Sequence, residues 1–399
     1  MKRIIFINAH WNHLLMNSAW NYFYKINPPQ KYSKLFAELL KDENVEVLNY
    51  ISKRGNIIPH TLNRFHFRIH SLLEAKFIFR KNGFGKKIKN ITSLNEIKDS
   101  DTIIAFVHSR LGADDIQLMR GKKIVNLNQY QLHSYEKLNK VLPYADAFML
   151  EADVFKDGNY IMSAQLPQSY QFCLIPYLVA DRFKSTVPFS ERNNKAVATG
   201  TIGICSNADY VRFYGTNLCH KMRKVIYDNQ QELAPYIDSY ISPYIENSKM
   251  KQIHGEMFGL KRYFNIIYNY YIGKVGKQTK YFSFNIVEKY NEYQMAVVPE
   301  EIVGIPAIGA FEAMACGCAL IGIKHQMYDD LGLTPGKHYI TYDGSCEDLK
   351  RTISYYQVHI NELQKIAEQG CKFVNEHFRS KQILNRFITI VSNLALNNK

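Results

Sequence analysis

Short apolar runs, set between stretches with helical periodicity, constrain this chain more than any other feature. Thr102–Val107 is almost wholly apolar once past its first residue, and Ala319–Ile323 has the same character. A strand that alternates apolar and polar residues leaves one face to water. A strand without alternation is buried on both faces, as in a parallel sheet covered by helices on either side. Arg3–Ile7, Val45–Ile51, Lys123–Leu127, Ala147–Leu150 and Phe172–Ile175 read as further strands, and Ser33–Leu40 carries Leu35, Phe36, Leu39 and Leu40 at helical steps. This alternation predicts a doubly wound α/β domain.

A second series follows a stretch of chain breakers. Pro176, Pro188 and the charged run Ser190–Asn194 predict a linker. Ala196–Ile204, Gln294–Val298, Ala319–Ile323 and His338–Tyr342 then read as strands, and from Asp343 onward Glu347–His359, Asn361–Phe378 and Lys381–Leu396 read as helices. The expected organisation is two Rossmann-like doubly wound domains facing an interdomain cleft: residues 1–176, a linker over 177–194, a second domain over 195–378, and a last helix over 379–399 crossing back to the first. Ligands of such folds sit at the carboxyl ends of the strands.

Composition narrows the function classes. With 46% hydrophobic residues the 399-residue chain affords large cores, which excludes disorder and collagen as whole-chain readings. No run reaches the ~18 apolar residues of a spanning helix, and the start MKRIIFINAHWNH lacks the apolar stretch of a secretory signal. Seven scattered cysteines without a CxxC pair argue against a disulfide framework or a zinc site, so a reducing cytoplasm is expected. The net charge of +14 favours an anionic partner: a phosphate-bearing substrate, a membrane surface or nucleic acid. No nucleic-acid module accompanies the basic residues, and no nucleic-acid partner is expected.

The most informative segment is Tyr293–Ile323, YQMAVVPEEIVGIPAIGAFEAMACGCALIGI. It reads as strand, loop, short helix and strand. The helix is expected to open near Gly309, where a ligand would approach the backbone closely, to carry Glu312 in its first turn, and to end at Gly317. A helix start favours an anion by about 0.3–1 kcal/mol, up to ~2 when partly buried. A carboxylate beside it accepts hydrogen bonds from a vicinal diol such as a ribose. The alternative is that Glu312 complements the helix dipole and the small residues around it serve packing.

Glu312-Ala313-Met314-Ala315-Cys316-Gly317 resembles the donor-binding region of GT-B glycosyltransferases, in particular the large group that carries E-x7-E followed by A-M-A-C-G. The likeness covers residues 280–380 and, more weakly, Ala196–Gly203. It implies an α/β GT-B fold and transfer of a sugar from a nucleotide-sugar to a glycan or lipid-linked acceptor, in the setting of bacterial surface polysaccharide biosynthesis. The donor would lie in the C-terminal domain and the acceptor in the N-terminal one. The resemblance further implies that Gly200, Thr201, Gly309, Ala310, Phe311 and Glu312 bind the donor, and that Lys or Arg side chains stabilise its diphosphate, with Arg212, Lys261 and Arg262 as candidates. No metal or other cofactor is expected. The first glutamate of the pattern would fall at position 304, which is glycine; the nearest acids are Glu300 and Glu301, and Glu301 is the candidate to reach the donor sugar. Retention and inversion both stay open, as do two rival readings, a non-catalytic GT-B-like binding subunit and a GT-B-fold nucleotide-sugar epimerase.

Histidine suits a general base at neutral pH. His10 follows the first strand and His108 follows Thr102–Val107, so both are candidates to activate an acceptor hydroxyl. Ordinary loop histidines are the alternative. Asp99-Ser100-Asp101 precedes its strand and reads as a turn rather than a metal triplet. Arg64–Lys89 carries eight basic residues against Glu74, with Phe65, Ile69, Leu72, Leu73 and Phe77 at helical steps. Such a helix suits an anionic membrane surface, hence a cytoplasmic protein peripheral to the inner face of the membrane; a solvated basic face is the alternative.

Overall fold

The computed structural model describes residues 1–9, 30–51, 72–73, 75–77, 79–80, 83–85, 87–106, 113–126, 141–156, 161, 170–205, 207–242 and 284–396. The chain divides into two compact units: Met1–Leu178 together with Ser380–Lys399, and Val179–Arg379. Among the described residues no helix is long and apolar enough to cross a membrane.

Among the described residues the first unit has seven parallel strands, β1 (Lys2–Ile7), β2 (Val45–Tyr50), β3 (Lys89–Ile91), β4 (Thr102–Phe106), β5 (Lys122–Asn126), β6 (Ala147–Leu150) and β7 (Gln171–Leu174). Their order is β3-β2-β1-β4-β5-β6-β7. The central strands bury Ile4, Phe6, Ile104, Ile124 and Ala147 in one cluster. Helix α1 (Gln30–Leu39) contributes Leu35, Phe36 and Leu39 to it, the Phe6 and Phe36 rings meet tilted by 48° with centroids 4.2 Å apart, and a short helix α2 (Ala113–Leu118) lies between β4 and β5. The helix Ser380–Leu396 adds Ile383, Phe387 and Val391 to the same core. Side chains of this size contribute about 1.5–3 kcal/mol each when fully buried. The Asp99–Asp101 segment is a turn, as its sequence implies: the Asp101 carboxylate accepts the Lys98 N–H at 2.8 Å and faces the Arg3 guanidinium.

Among the described residues the second unit has five parallel strands in the order β12-β11-β10-β8-β9. These are β8 (Asn193–Thr201), β9 (Ile237–Ser242), β10 (Tyr293–Val297), β11 (Ala319–Ile323) and β12 (Ile340–Tyr342). Helices α8 (Cys346–Val358) and α9 (Ile360–His377) supply Leu349, Ile353, Leu363 and Ile366 to a core with Ala198, Met295, Val297 and Ile321. Two strands escape the sequence reading, β3 and β9. Both are edge strands with polar residues, Lys-Asn-Ile and Ile-Asp-Ser-Tyr-Ile-Ser, and so lack the apolar run that a doubly covered strand shows.

The segment leading into β8 is held by a side-chain amide. Asn291, 3% exposed at the end of α5 (Ile286–Glu292), accepts the Thr186 N–H at 2.7 Å and donates to the Lys184 and Val287 carbonyls at 3.1 and 2.9 Å. Asn291→Ala leaves these backbone groups without their partner and is expected to destabilise the second unit by about 1–3 kcal/mol; denaturant unfolding measures it, and an unchanged midpoint contradicts it.

Candidate active site

The sheet of the second unit switches direction between β8 and β10, since the chain moves outward from β8 to β9 and then builds β10, β11 and β12 on the other side. Such a point opens a crevice at the carboxyl ends of the two strands. A cation occupies it. Arg223, on α4 (Lys221–Asp228), is buried, and its guanidinium donates to the Thr201 carbonyl at 3.0 Å and the Pro299 carbonyl at 3.4 Å. Gly200 makes room: at φ +130°, a Cβ there would lie 2.7 Å from Arg223 Nε. Beside it His220 takes the N-cap position of α4 without capping it, and its Nδ1 is buried without a hydrogen-bond partner among the described residues. Burial and the neighbouring guanidinium push this imidazole down to about 3, so it is neutral at physiological pH.

The loop after β10 carries the two acids. Glu300 is turned inward, where its carboxylate accepts the Tyr328 hydroxyl and the Ile323 N–H at 3.0 Å; burial raises its pKa, opposed by these hydrogen bonds and by Arg223. Glu301 is half-buried, in a tight turn closed by Glu301 N–H to Ile305 O at 3.0 Å and Gly304 N–H to Glu301 O at 2.8 Å. The Ile302 N–H ties this turn to the Cys219 carbonyl at 2.8 Å, one residue before His220. Gly304 has φ +80°, and a Cβ there would lie 2.5 Å from the His325 ring. Position 304 therefore admits no larger side chain in this conformation.

Helix α6 (Ile308–Ala315) opens immediately after this loop. Its N-cap, Ala307, has no side chain to accept the first N–H groups, so the helix start is uncapped by any side chain. One expectation is corrected here: Glu312 stands in the second turn, because the helix begins at Ile308, directly after Pro306 and Ala307. Gly309 is also a packing position, since a Cβ would meet the Tyr290 hydroxyl at 3.0 Å and Val298 Cγ1 at 3.2 Å. The C-terminus is a Schellman motif as expected, with Gly317 at φ +85° and N–H groups of Gly317 and Cys318 donating to Met314 and Ala313.

Glu312 itself is half-buried, and its carboxylate accepts no hydrogen bond from any described residue. Desolvation pushes its pKa up to about 7, opposed by the Arg182 guanidinium. Its neighbours Ala310 and Phe311 are fully buried, and Phe311 meets Phe378 edge-on at 4.8 Å, so their side chains belong to the interior rather than to a ligand surface. The structure thus brings Gly200, Thr201 and the Glu301 loop to the Arg223 end of the strands. Arg212 does not join them; it pairs with Asp209 on the exposed face of α3 (Ala208–Tyr214). His10, His108, Lys261 and Arg262 lie outside the described residues. Arg223 and His220 were missed because neither sits in a motif: a helix and its loops separate them from β8, and only the fold returns them to its end.

Residues 246–389 match the family model described as glycosyl transferase-like. That match spans about a third of the chain; the fold of the whole is GT-B. Among solved structures it is similar to sucrose-phosphate synthase from Thermosynechococcus elongatus, at 13% identity over 100% of both chains with a TM-score of 0.53. It is similar to Anabaena HepE in complex with UDP and glucose, at 10% identity over 98% of this chain and 100% of that one, with a TM-score of 0.52. A glycosyltransferase from Rickettsia africae ESF-5 follows at 11% identity over 100% and 99%, with a TM-score of 0.50. At these identities the likeness is one of fold. No curated protein matches the chain.

For this GT-B chain the state of Glu312 has a measurable consequence. Its folded-state pKa of about 7 exceeds the ordinary 4.5, so the folded protein holds that proton to higher pH than the unfolded one. Stability is therefore lost as pH rises through that window. Glu312→Gln lacks the loss. Its Tm relative to wild type is expected to climb between about pH 4.5 and 7 and level off above, by on the order of 2–4 °C per kcal/mol. A Tm difference constant across that range contradicts the assignment.

Proposed function

We propose that this protein transfers a sugar from a nucleoside diphosphate sugar to a glycan or lipid-linked acceptor, as a step in building a bacterial surface polysaccharide. The observation that carries the reading is Arg223, a buried guanidinium across the carboxyl ends of β8 and β10, on the same side of the sheet as the uncapped start of α6. In the reaction the bond from the anomeric carbon to the β-phosphate oxygen breaks, and the electron pair leaves with the nucleoside diphosphate. Preorganised positive groups stabilise that charge as it forms. Arg223 and the first N–H groups of α6 have this role, with Gly200 and Thr201 at the phosphate end and the unpartnered carboxylate of Glu312 accepting the ribose hydroxyls. Glu301 is assigned to the donor sugar, and His10 or His108 to the acceptor hydroxyl in an inverting reaction. UDP is the first nucleotide to test, since HepE was solved with UDP and with UDP-glucose.

A lysine has no planar fork to span two carbonyls and a phosphate. Arg223→Lys is expected to weaken UDP binding at least tenfold, about 1.4 kcal/mol, and to lower donor turnover further. Calorimetry and release of UDP from UDP-glucose measure both, and unchanged affinity in a folded variant contradicts the role. Gly304 favours a second reading, a binding subunit: such a protein holds UDP but releases none from the donor.

The same proposal places the protein at an anionic membrane face. Leu73 and Phe77 are 61% and 40% exposed, one helical turn apart and beside exposed Lys76 and Arg80. The double variant Leu73→Asp, Phe77→Asp is expected to reduce co-sedimentation with phosphatidylglycerol vesicles by about tenfold or more; binding equal to wild type argues against this surface.

A further inference from the structure

At the outer edge of the second unit's sheet, two strands from β10, a cavity of about 350 Å³ opens between β12 and α8. Its size lies within the range of small-molecule sites. Gly336, Thr341, Arg351, Thr352, Tyr355 and Tyr356 form its walls, and a Cβ on Gly336 would meet nothing within 4 Å.

Two aromatic walls are fixed from outside the cavity. The hydroxyls of Tyr355 and Tyr356 both donate to the Glu362 carboxylate, at 3.1 and 3.4 Å, and their rings meet edge to face at 5.0 Å. The His359 imidazole stacks on Tyr355 at 3.8 Å, yet Tyr355 remains 45% exposed. A ring held this way offers contact area at little further cost in entropy. The polar walls are underused. The Thr341 and Thr352 hydroxyls have no hydrogen-bond partner among the described residues, and the Arg351 guanidinium has one, the Asp348 carboxylate. Asp348 also balances the charge of Arg351, so the site as a whole does not select an anion.

We propose that the cavity between β12 and α8 binds a pyranose ring of a neutral glycan. A pyranose presents an apolar C–H face to an aromatic ring and a rim of hydroxyls that both donate and accept. Tyr355 supplies the ring, Thr341 and Thr352 pair with hydroxyls in either sense, and the Arg351–Asp348 pair offers a donor and an acceptor side by side. A phosphate or carboxylate ligand meets Asp348 and is disfavoured. The inference does not depend on the donor reading. If both hold, a glycan tethered here is kept at raised local concentration near the unit that binds the donor.

The test is saturation-transfer NMR on the full chain, with the methyl glycosides of glucose, galactose and mannose and with N-acetylglucosamine, each at about 10 mM, in the presence of excess UDP to fill the donor site. At least one sugar is expected to show transfer, with a Kd of about 1 mM. The signal is expected to fall at least tenfold in Tyr355→Ala and in Thr352→Phe, which plugs the cavity, while both variants keep cooperative melting transitions. Absence of signal from every sugar, or signal that persists in both variants, overturns the proposal. Signal that depends on Tyr355 in a protein whose melting UDP does not shift upholds this site and sinks the donor reading.

Discussion

A guanidinium that joins the end of β8 to the loop after β10 organises the switch point of the second unit. Where the connections leave the adjacent strands β8 and β10 in opposite directions, Arg223 donates both to Thr201 O at the end of β8 and to Pro299 O two residues beyond β10. A buried cation is costly unless it is hydrogen-bonded, and Gly200 clears the space in which the two terminal guanidinium nitrogens reach these carbonyls. Once seated, the charge acts on its surroundings: it opposes the upward shifts of Glu300 and of Cys219 and drives the His220 imidazole further towards neutrality. One side chain thus fixes the backbone at the switch point and sets the electrostatics there.

The two glutamates at this end of the sheet show how environment divides similar groups. Glu300 is enclosed and satisfied, by a tyrosine hydroxyl and a backbone N–H. Its carboxylate is also what a side chain at Gly322 would strike, at 2.9 Å from the Cβ position, so this acid is part of the sheet's packing. Glu312 is half-buried with no hydrogen bond from the described residues. A carboxylate that is desolvated and unsatisfied destabilises the protein that keeps it. An incoming group that supplied the missing donors would recover that cost, which a carboxylate complementing a helix dipole from the first turn would not need.

Most of the fold is legible in the sequence because burial on both faces leaves an apolar run for each central strand and a three-to-four-residue rhythm for each covering helix. The edges are less legible. β9 meets a neighbour on one side only and carries Asp238, Ser239 and Tyr240 through its middle. The site divides in the same way. Glu312 and Gly317 stand in a continuous motif and are found there, whereas Arg223 and His220 act through distance in space and leave no spacing to read. Gly309 shows a related limit: a glycine in a sequence records that something approaches the backbone, but not what, and here Tyr290 and Val298 stand where a Cβ would be.

Position 304 extends that lesson to the chemistry. In the pattern this chain resembles, the residue eight before Glu312 is an acid; here it is a glycine at φ +80° lying under the His325 imidazole. That imidazole is itself fixed, since it caps α7 (Gln326–Asp330) by accepting the Met327 N–H on Nδ1 at 3.3 Å. The change at 304 therefore puts, where a carboxylate would stand, a backbone position packed against an imidazole, and it leaves Glu301, three residues earlier in the same tight turn, as a half-buried acid. The loop offers no acceptor side chain at position 304, so a hydroxyl pattern carried over from proteins with an acid there does not transfer to this chain.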